Sequence, residues 1–244
     1  CYGSPTAPRQ WNIDMHNSMI SFGFEQRTCD QSLYTYRDLS VLVYTDDFMS
    51  TYPDTPAGQQ LYKSFIDMLS SKYELRDDGM QDCVDFVGLH FEFSADRSVC
   101  HITQPLKVQQ LIESSGLGVC RPHFTPGTPN VLVSDLDCPA LDDLEQLDFM
   151  KNKPYRRRIG QLLWLSRSTR PDISYQVNAL ARVAHNPGKA HWEATTYLIR
   201  YIQHTSDYGL TYVRDPAFDD TPGQWKPVVW SDATWAPNYG SAYD

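Results

Sequence analysis

The sequence predicts an α+β fold, and three observations carry that expectation. Short apolar runs of strand character fill the first hundred residues, with amphipathic helical stretches set among them. Helix-period repeats then occupy residues 154–204. Strand-like runs return at residues 209–213 and 227–230. The 244 residues are 41% hydrophobic, enough to bury a sizeable core. Aromatic content of 13% excludes a disordered chain. No apolar run reaches the ~20 residues of a membrane span, and no signal peptide opens the chain. The chain starts at Cys1 and not at Met, so residue 1 is expected to be a cut point. Cys1, Cys29, Cys83, Cys100, Cys120 and Cys138 form no Cys-x-x-Cys pair and read as free thiols of a reducing compartment.

Taken in order, residues 2–8 form a Gly/Pro/Ser/Thr loop. Met15, Met19 and Phe22 recur at i, i+4 and i+7, and Gly23 follows where a C-terminal cap belongs, so a short helix is expected. Residues 32–36 read as a strand. Residues 39–44 are a mostly apolar run between polar boundaries, which predicts a strand buried on both faces. Apolar character resumes at Phe48-Met49, so Thr45-Asp46-Asp47 forms the tip of a tight hairpin. Leu61, Phe65, Met68 and Leu69 put one apolar face on a helix over 59–73. Residues 85–93 alternate as a strand, and residues 99–102 can pair with it through the turn at 95–98. Residues 106–115 are a short helix, and the Pro- and Asp-rich stretch 120–150 is a long surface connection.

Three helices follow. The first begins near Pro154 and places Ile159, Leu162, Leu163 and Ser166 on one face. The second carries Ile173, Val177, Leu180 and Ala184, and the third Trp192, Thr195, Leu198, Ile199 and Ile202. Trp164, Trp192 and Trp235 are expected in the core. The runs at 209–213 and 227–230 are expected to pair as strands.

The net charge of −9 argues against a nucleic-acid partner only while it is taken as one number. Residues 151–200 hold ten Lys/Arg against two acids, whereas residues 1–150 hold nine against 22. A basic stripe can grip phosphates on an otherwise acidic chain. Charge alone does not separate that role for Arg156, Arg157 and Arg158 from an ordinary solvated helix face.

The chemistry-bearing pair is Asp46-Asp47. Nucleotidyl transfer uses two divalent ions about 4 Å apart, and Mg²⁺ takes hard oxygen ligands. A hairpin tip can supply them, and adjacent strand residues point to opposite faces, so Asp46 is expected as the inner ligand. Asp-Asp is equally ordinary turn chemistry.

In context the pair resembles the Tyr-Val-Asp-Asp motif of the reverse transcriptase of copia-type LTR retrotransposons, through Val43-Tyr44-Thr45-Asp46-Asp47. Tyr2-Gly3, Ala7-Pro8-Arg9 and Trp11 resemble that family's Tyr-Gly-Leu-Lys-Gln-Ser-Pro-Arg-Ala-Trp loop. Phe86-Val87-Gly88-Leu89 resembles its Phe-Leu-Gly hairpin. Tyr155-Arg156, Ile159-Gly160-Gln161-Leu162-Leu163-Trp164-Leu165 and Thr169-Arg170-Pro171-Asp172-Ile173-Ser174-Tyr175 make the most specific match, equalled by Pro187, His191, Arg200-Tyr201-Ile202, Thr205, Gly209-Leu210 and Tyr212. Ser231-Asp232-Ala233-Thr234-Trp235-Ala236 resembles the opening of RNase H.

The resemblance implies a partial polymerase palm over 1–103, with a ferredoxin-like antiparallel sheet and helices. It implies a mainly helical thumb or connection over 104–206 and the first strands of an RNase H-like domain over 207–244. Asp46 and Asp47 would be catalytic and would hold Mg²⁺, two ions in the complete enzyme. Asp232 would belong to an incomplete RNase H metal site. Tyr2, Gly3, Pro8 and Arg9 would lie at the nucleotide and template. Tyr44, Phe86, Gly88 and Leu89 would contact the primer, and Arg156, Arg157 and Arg158 the duplex. Tyr44 also reads as a packed strand aromatic. The implied partners are an RNA/DNA template–primer, a dNTP and the rest of a polyprotein with integrase and RNase H. The implied location is intracellular, in cytoplasmic virus-like particles or the nucleus.

The chain departs from the family in three places. The family's other metal-binding Asp lies upstream of Cys1. Ser4-Pro5-Thr6 replaces Leu-Lys-Gln, and Thr234 replaces an acid. The expectation is therefore a fragment incomplete or inactive by itself. The alternative is a non-catalytic remnant that binds nucleic acid or a protein through its basic helices.

Overall fold

The computed structural model describes residues 5–128 and 133–214. Within them the chain is α+β, with two four-stranded antiparallel sheets and seven α-helices. No helix among the described residues is long and apolar enough to cross a membrane. Cys29, Cys83, Cys100, Cys120 and Cys138 are free thiols.

Helix α1 spans Ala7–Phe22, longer than the Met15 repeat suggested, because only Met15, Ser18 and Met19 are buried and the preceding turns lie in solvent. Gly23 ends it at φ 113°, its N–H reaching Ile20 O at 3.0 Å. A Cβ there would also press on the Tyr36 ring at 3.0 Å. Strands β1 (Glu25–Gln26), β2 (Leu33–Tyr36), β3 (Leu39–Tyr44) and β4 (Asp47–Thr51) form a meander in chain order. Helix α2 (Pro56–Ser70) starts three residues before the sequence pattern because Thr55 caps it, Oγ1 accepting from Gly58 N–H at 3.1 Å. Met15, Met19, Leu39, Val41, Phe65 and Leu69 form this half's core. Strand β3 is thus buried on one face only, not two. Leu39 and Val41 lie in that core, while Ser40 and Leu42 are half-buried and Tyr44 is exposed.

The second sheet contains β5 (Cys83–Phe86), β6 (Leu89–Phe93), β7 (Val99–Thr103) and β8 (Leu210–Val213), in that order. The single strand expected over 85–93 is in fact a hairpin. Alternation continues through its turn and hides the break, but Val87 and Gly88 take φ of 52° and 75°, the two positive values of a two-residue turn. Strand β8 neighbours β7; its expected partner at 227–230 lies outside the described residues.

Helix α3 spans Pro105–Ser115. The connection expected over 120–150 ends instead in helix α4 (Leu144–Met150), which Asp143 caps by accepting from Gln146 N–H at 3.1 Å. Its earlier part is pinned to helix α7 (Lys189–His204) by a His123–Tyr197 stack with ring centroids 3.7 Å apart. Helices α5 (Tyr155–Ser168), α6 (Ser174–Arg182) and α7 enclose a second core with Leu111, Leu162, Ile173, Val177, Leu198 and Ile202.

Buried polar groups lock this helical half. Arg170, 1% exposed, forks onto both Asp172 oxygens at 3.0 and 2.8 Å. It also donates to Thr205 O at 2.9 Å and to Thr205 Oγ1 at 2.7 Å. Tyr201 donates its hydroxyl to Asp172 at 2.8 Å. Burial pushes the Asp172 carboxyl up, but the bonds from Arg170 and Tyr201 outweigh it and hold the group below the usual range. His191 is fully buried. Its Nδ1 accepts from Gly188 N–H at 2.9 Å, so Nε2 carries the proton donated to Ser134 O at 2.8 Å.

Candidate functional site

The tip between β3 and β4 is a two-residue turn of Thr45 and Asp46, with Tyr44 paired across to Asp47. Thr45 sits at φ 56°, a strained value for a β-branched residue. Trp11, one turn into α1, donates its indole Nε1–H to Thr45 O at 2.6 Å. The Trp11 ring packs edge-on against Tyr73 at 5.1 Å. This tether joins the start of α1 to the hairpin and holds the turn that carries the two carboxylates. Asp46 and Asp47 are both exposed, hence free to offer hard oxygen donors. Among the described residues no three His, Cys, Asp or Glu side chains gather as a metal cage. The pair is therefore a partial ligand set, suited in chemistry to Mg²⁺ and short in number.

Beside Tyr44 lies a groove of about 630 Å³. Tyr44 and the Val87-Gly88 turn line it. A face of α5 made by Arg157, Gly160, Gln161 and Trp164 also lines it, as do Lys107 and Gln110 of α3. Residues 157, 160, 161 and 164 are spaced i, i+3, i+4 and i+7, one helical stripe. No carboxylate lines the groove. Arg157 is exposed and has no ion-pair or hydrogen-bond partner among the described residues. Tyr44 is 54% and Trp164 43% exposed, large aromatic surfaces turned to solvent.

Of the predicted site residues, the groove gathers Tyr44, Gly88 and Arg157. Asp46 and Asp47 lie next in the chain to Tyr44 but do not line it. Phe86 is buried at the end of β5, and Leu89 begins β6. Pro8 and Arg9 are exposed in the first turn of α1, away from the groove lining. Tyr2, Gly3 and Asp232 lie outside the described residues, as does Trp235.

Two expectations need correction. Arg158 is 5% exposed and cannot reach a duplex. Its guanidinium lies 3.6 Å over the Trp192 ring and donates to Thr195 Oγ1 at 3.1 Å and Thr196 Oγ1 at 3.2 Å. Burial lowers its pKa to about 10. The helical period explains this: position 158 is one residue from the groove stripe and turns inward beside Ile159 and Leu162. Trp164, expected in the core, is in the groove instead. The readable signals for the missed residues were Trp164 seven places after Arg157 and a glycine in mid-helix. A Cβ at Gly160 would meet nothing within 4 Å, so no packing inside the described chain requires that glycine.

Three curated relatives place the chain. It is 28% identical to the retrovirus-related Pol polyprotein from transposon RE1 of Arabidopsis thaliana, over 86% of this chain and 13% of the relative. Its counterpart from transposon RE2 of the same plant is 28% identical over 86% of this chain and 14% of the relative. The Pol polyprotein from transposon TNT 1-94 of Nicotiana tabacum is 26% identical over 84% and 15%. The chain is a relative of copia-type retrotransposon Pol polyproteins. It spans about one seventh of the length of these polyproteins. No family model matches, and no solved structure matches. This Pol-related segment thus gathers Tyr44, the Val87-Gly88 turn and the cationic–aromatic face of α5 around one groove, with the two acids following Tyr44 in the chain.

Proposed function

We propose that this chain is the part of an RNA-directed DNA polymerase that holds a template–primer duplex beside the Asp46-Asp47 hairpin. One observation carries the reading: a single groove is lined by Tyr44 and the Val87-Gly88 turn together with Arg157, Gly160, Gln161 and Trp164. Exposed aromatics with unpaired cations and no carboxylates fit a stacked, phosphate-bearing ligand. Gly160 lets a backbone approach α5 closely.

Bound Mg²⁺ would supply electrostatic stabilisation at the transferred phosphate. Asp46 is the residue proposed to hold it, with Asp47 beside it, and the complete polyprotein is expected to contribute a further carboxylate. Trp11 holds the turn through Thr45 O, which keeps both carboxylates in register with Tyr44. Tyr44 and Val87-Gly88 would seat the primer end, and Arg157 would contact phosphate without reading sequence.

Two measurements test this. The chain should bind an RNA–DNA hybrid with an affinity that falls steeply with salt. In the polyprotein, Asp46→Asn should abolish primer extension while leaving hybrid binding intact. Extension at parental rate by that variant would remove Asp46 from the reaction. Hybrid binding without extension by the parent polyprotein would favour a non-catalytic nucleic-acid-binding remnant.

A further inference from the structure

Residues 135–148 hold six acids and no base. Two of the acids serve the chain's own backbone: Asp137 accepts from Ser134 N–H at 2.8 Å, and Asp143 caps α4. Asp135, Asp142, Glu145 and Asp148 are exposed, and their carboxylates accept no hydrogen bond among the described residues. Between them Leu136, Leu141 and Leu144 are 86%, 96% and 74% exposed. Three leucines left so open in one short stretch mark an interaction surface. Next to it in the chain is its electrical opposite, a cleft of about 370 Å³ lined by the end of α4, the start of α5 and the turn between α6 and α7. Leu147, Met150, Pro154 and Pro187 give the cleft an apolar lining, Lys151, Lys153, Arg156 and Arg157 give it charge, and no carboxylate lines it.

The acidic segment and the cleft are fastened to each other. Asn186, which lines the cleft, donates Nδ2–H to Pro139 O at 3.0 Å. His191 donates Nε2–H to Ser134 O at 2.8 Å, and Lys189 N–H reaches Gln146 Oε1 at 3.1 Å. The acids nevertheless do not satisfy the cleft of their own chain. Glu145 and Asp148 lie on the helix that supplies Leu147 and Met150, yet neither lines the cleft. The ion pairs among the described residues are Arg76–Asp78, His90–Asp85, Arg97–Asp82 and Arg170–Asp172, none of them here. Lys151 is exposed and has no partner among the described residues. Arg156 uses only Nε, which donates to Ala184 O at 3.0 Å.

We propose that the cleft receives the acidic, leucine-bearing segment 135–148 of a second copy of this chain. A two-fold axis beside α4 makes such a patch self-complementary, because each copy then offers its acids to the other's cations and the contact is made twice. The leucines bring apolar surface to an apolar lining, and the unpaired acids bring charge to Lys151 and Arg156. A second copy is favoured over a basic protein of another kind because one patch carries both complementary halves, and a basic partner would leave the cleft unfilled. The inference is independent of the polymerase reading and uses none of the residues proposed there.

The test is sedimentation velocity of the full chain from about 1 to about 100 μM, at low and high salt. The parent should form a dimer that dissociates on dilution and on adding salt. Asp142→Lys/Glu145→Lys, at two exposed positions outside the caps, should weaken the dimer about a hundredfold, since each reversal is felt in both copies of the contact. Two reversals of two charges each move the net charge from −9 to −5, so a non-specific charge effect would favour association instead. Lys151→Glu/Arg156→Glu should dissociate the dimer likewise, and it puts an acid in the first turn of α5, where the helix dipole favours one. Mixing the two variants should restore a 1:1 dimer, because each offers the other the missing sign at both contacts. A parent that stays monomeric at about 100 μM and low salt overturns the proposal, whether or not it binds a basic peptide. So does parental dimerisation by the Asp142→Lys/Glu145→Lys variant, or a mixture that stays monomeric while both variants keep the parental circular dichroism spectrum. Growth beyond a dimer with rising concentration would overturn the two-fold arrangement.

Discussion

In residues 7–103 the polar groups with chemical potential lie in the open. Asp46 and Asp47 sit on an exposed turn, and Tyr44 faces solvent beside them. In residues 105–205 the reverse holds. Arg158, Arg170 and His191 are sealed into the interior with their partners. The segment Thr169-Arg170-Pro171-Asp172, which the sequence reading compares with the retrotransposon family, therefore serves as a polar lock of the helical half. The residues free to meet a ligand there are the unremarkable ones on the outer stripe of α5. Specificity of a motif and availability of its side chains are separate properties. A buried charge constrains many neighbours, whereas an exposed one constrains few.

The contrast is broken or sharpened most strongly at Arg170. Arg170→Ala leaves half-buried Asp172 without its cation, with only the Tyr201 hydroxyl still bonded to it, and should cost about 3 kcal/mol in urea unfolding. The same lock predicts acid sensitivity. Asp172 is held below its ordinary range in the folded state. Its contribution is therefore present above the usual aspartate value of about 4 and lost as pH falls through the lowered folded value. Asp172→Asn should flatten that acid limb of the stability curve; an unchanged limb would discard the lock.

Arg157 and Arg158 make the sharpest pair, adjacent in sequence and opposite in fate. Arg158→Ala forfeits two charged hydrogen bonds and the Trp192 stack and should cost about 2–4 kcal/mol. Arg157→Ala should stay within about 0.5 kcal/mol of the parent while weakening hybrid binding at low salt. Equal stability losses from both would erase the distinction.

Trp11→Phe keeps the packing on Tyr73 but removes the donor to Thr45 O. It should cost about 1 kcal/mol and speed amide hydrogen exchange across residues 44–47, with α2 unaffected. Gly160→Ala should have the smallest effect on the fold and the opposite sign. It should stabilise α5 by about 0.5–1 kcal/mol, since the added methyl meets nothing, and hybrid binding should weaken. A stabilised variant with undiminished binding would remove Gly160 from the interface.

Much was legible before any coordinates. The sequence pattern bounds the strand 39–44 to the residue and marks Gly23 as a cap; it places the hairpin tip at Thr45-Asp46-Asp47, where the structure pairs Asp47 with Tyr44 and leaves Thr45-Asp46 as the turn. Local rules sufficed there, because turn stereochemistry and helix capping act over a few residues. The break at Val87-Gly88 was missed by pattern, since a two-residue turn preserves strand alternation on either side.

By itself the sequence determined the α+β class, the three-helix region and the kinship with copia-type Pol polyproteins, all of which follow from periodicity and residue order. Only the tertiary structure decided which of three consecutive arginines face a groove, that Trp164 lies outside the core, and that Trp11 reaches Thr45 across 34 positions. Those outcomes depend on which side of a helix its neighbours cover. That choice is made when the apolar faces of α5, α6 and α7 bury one another, and no local propensity encodes it.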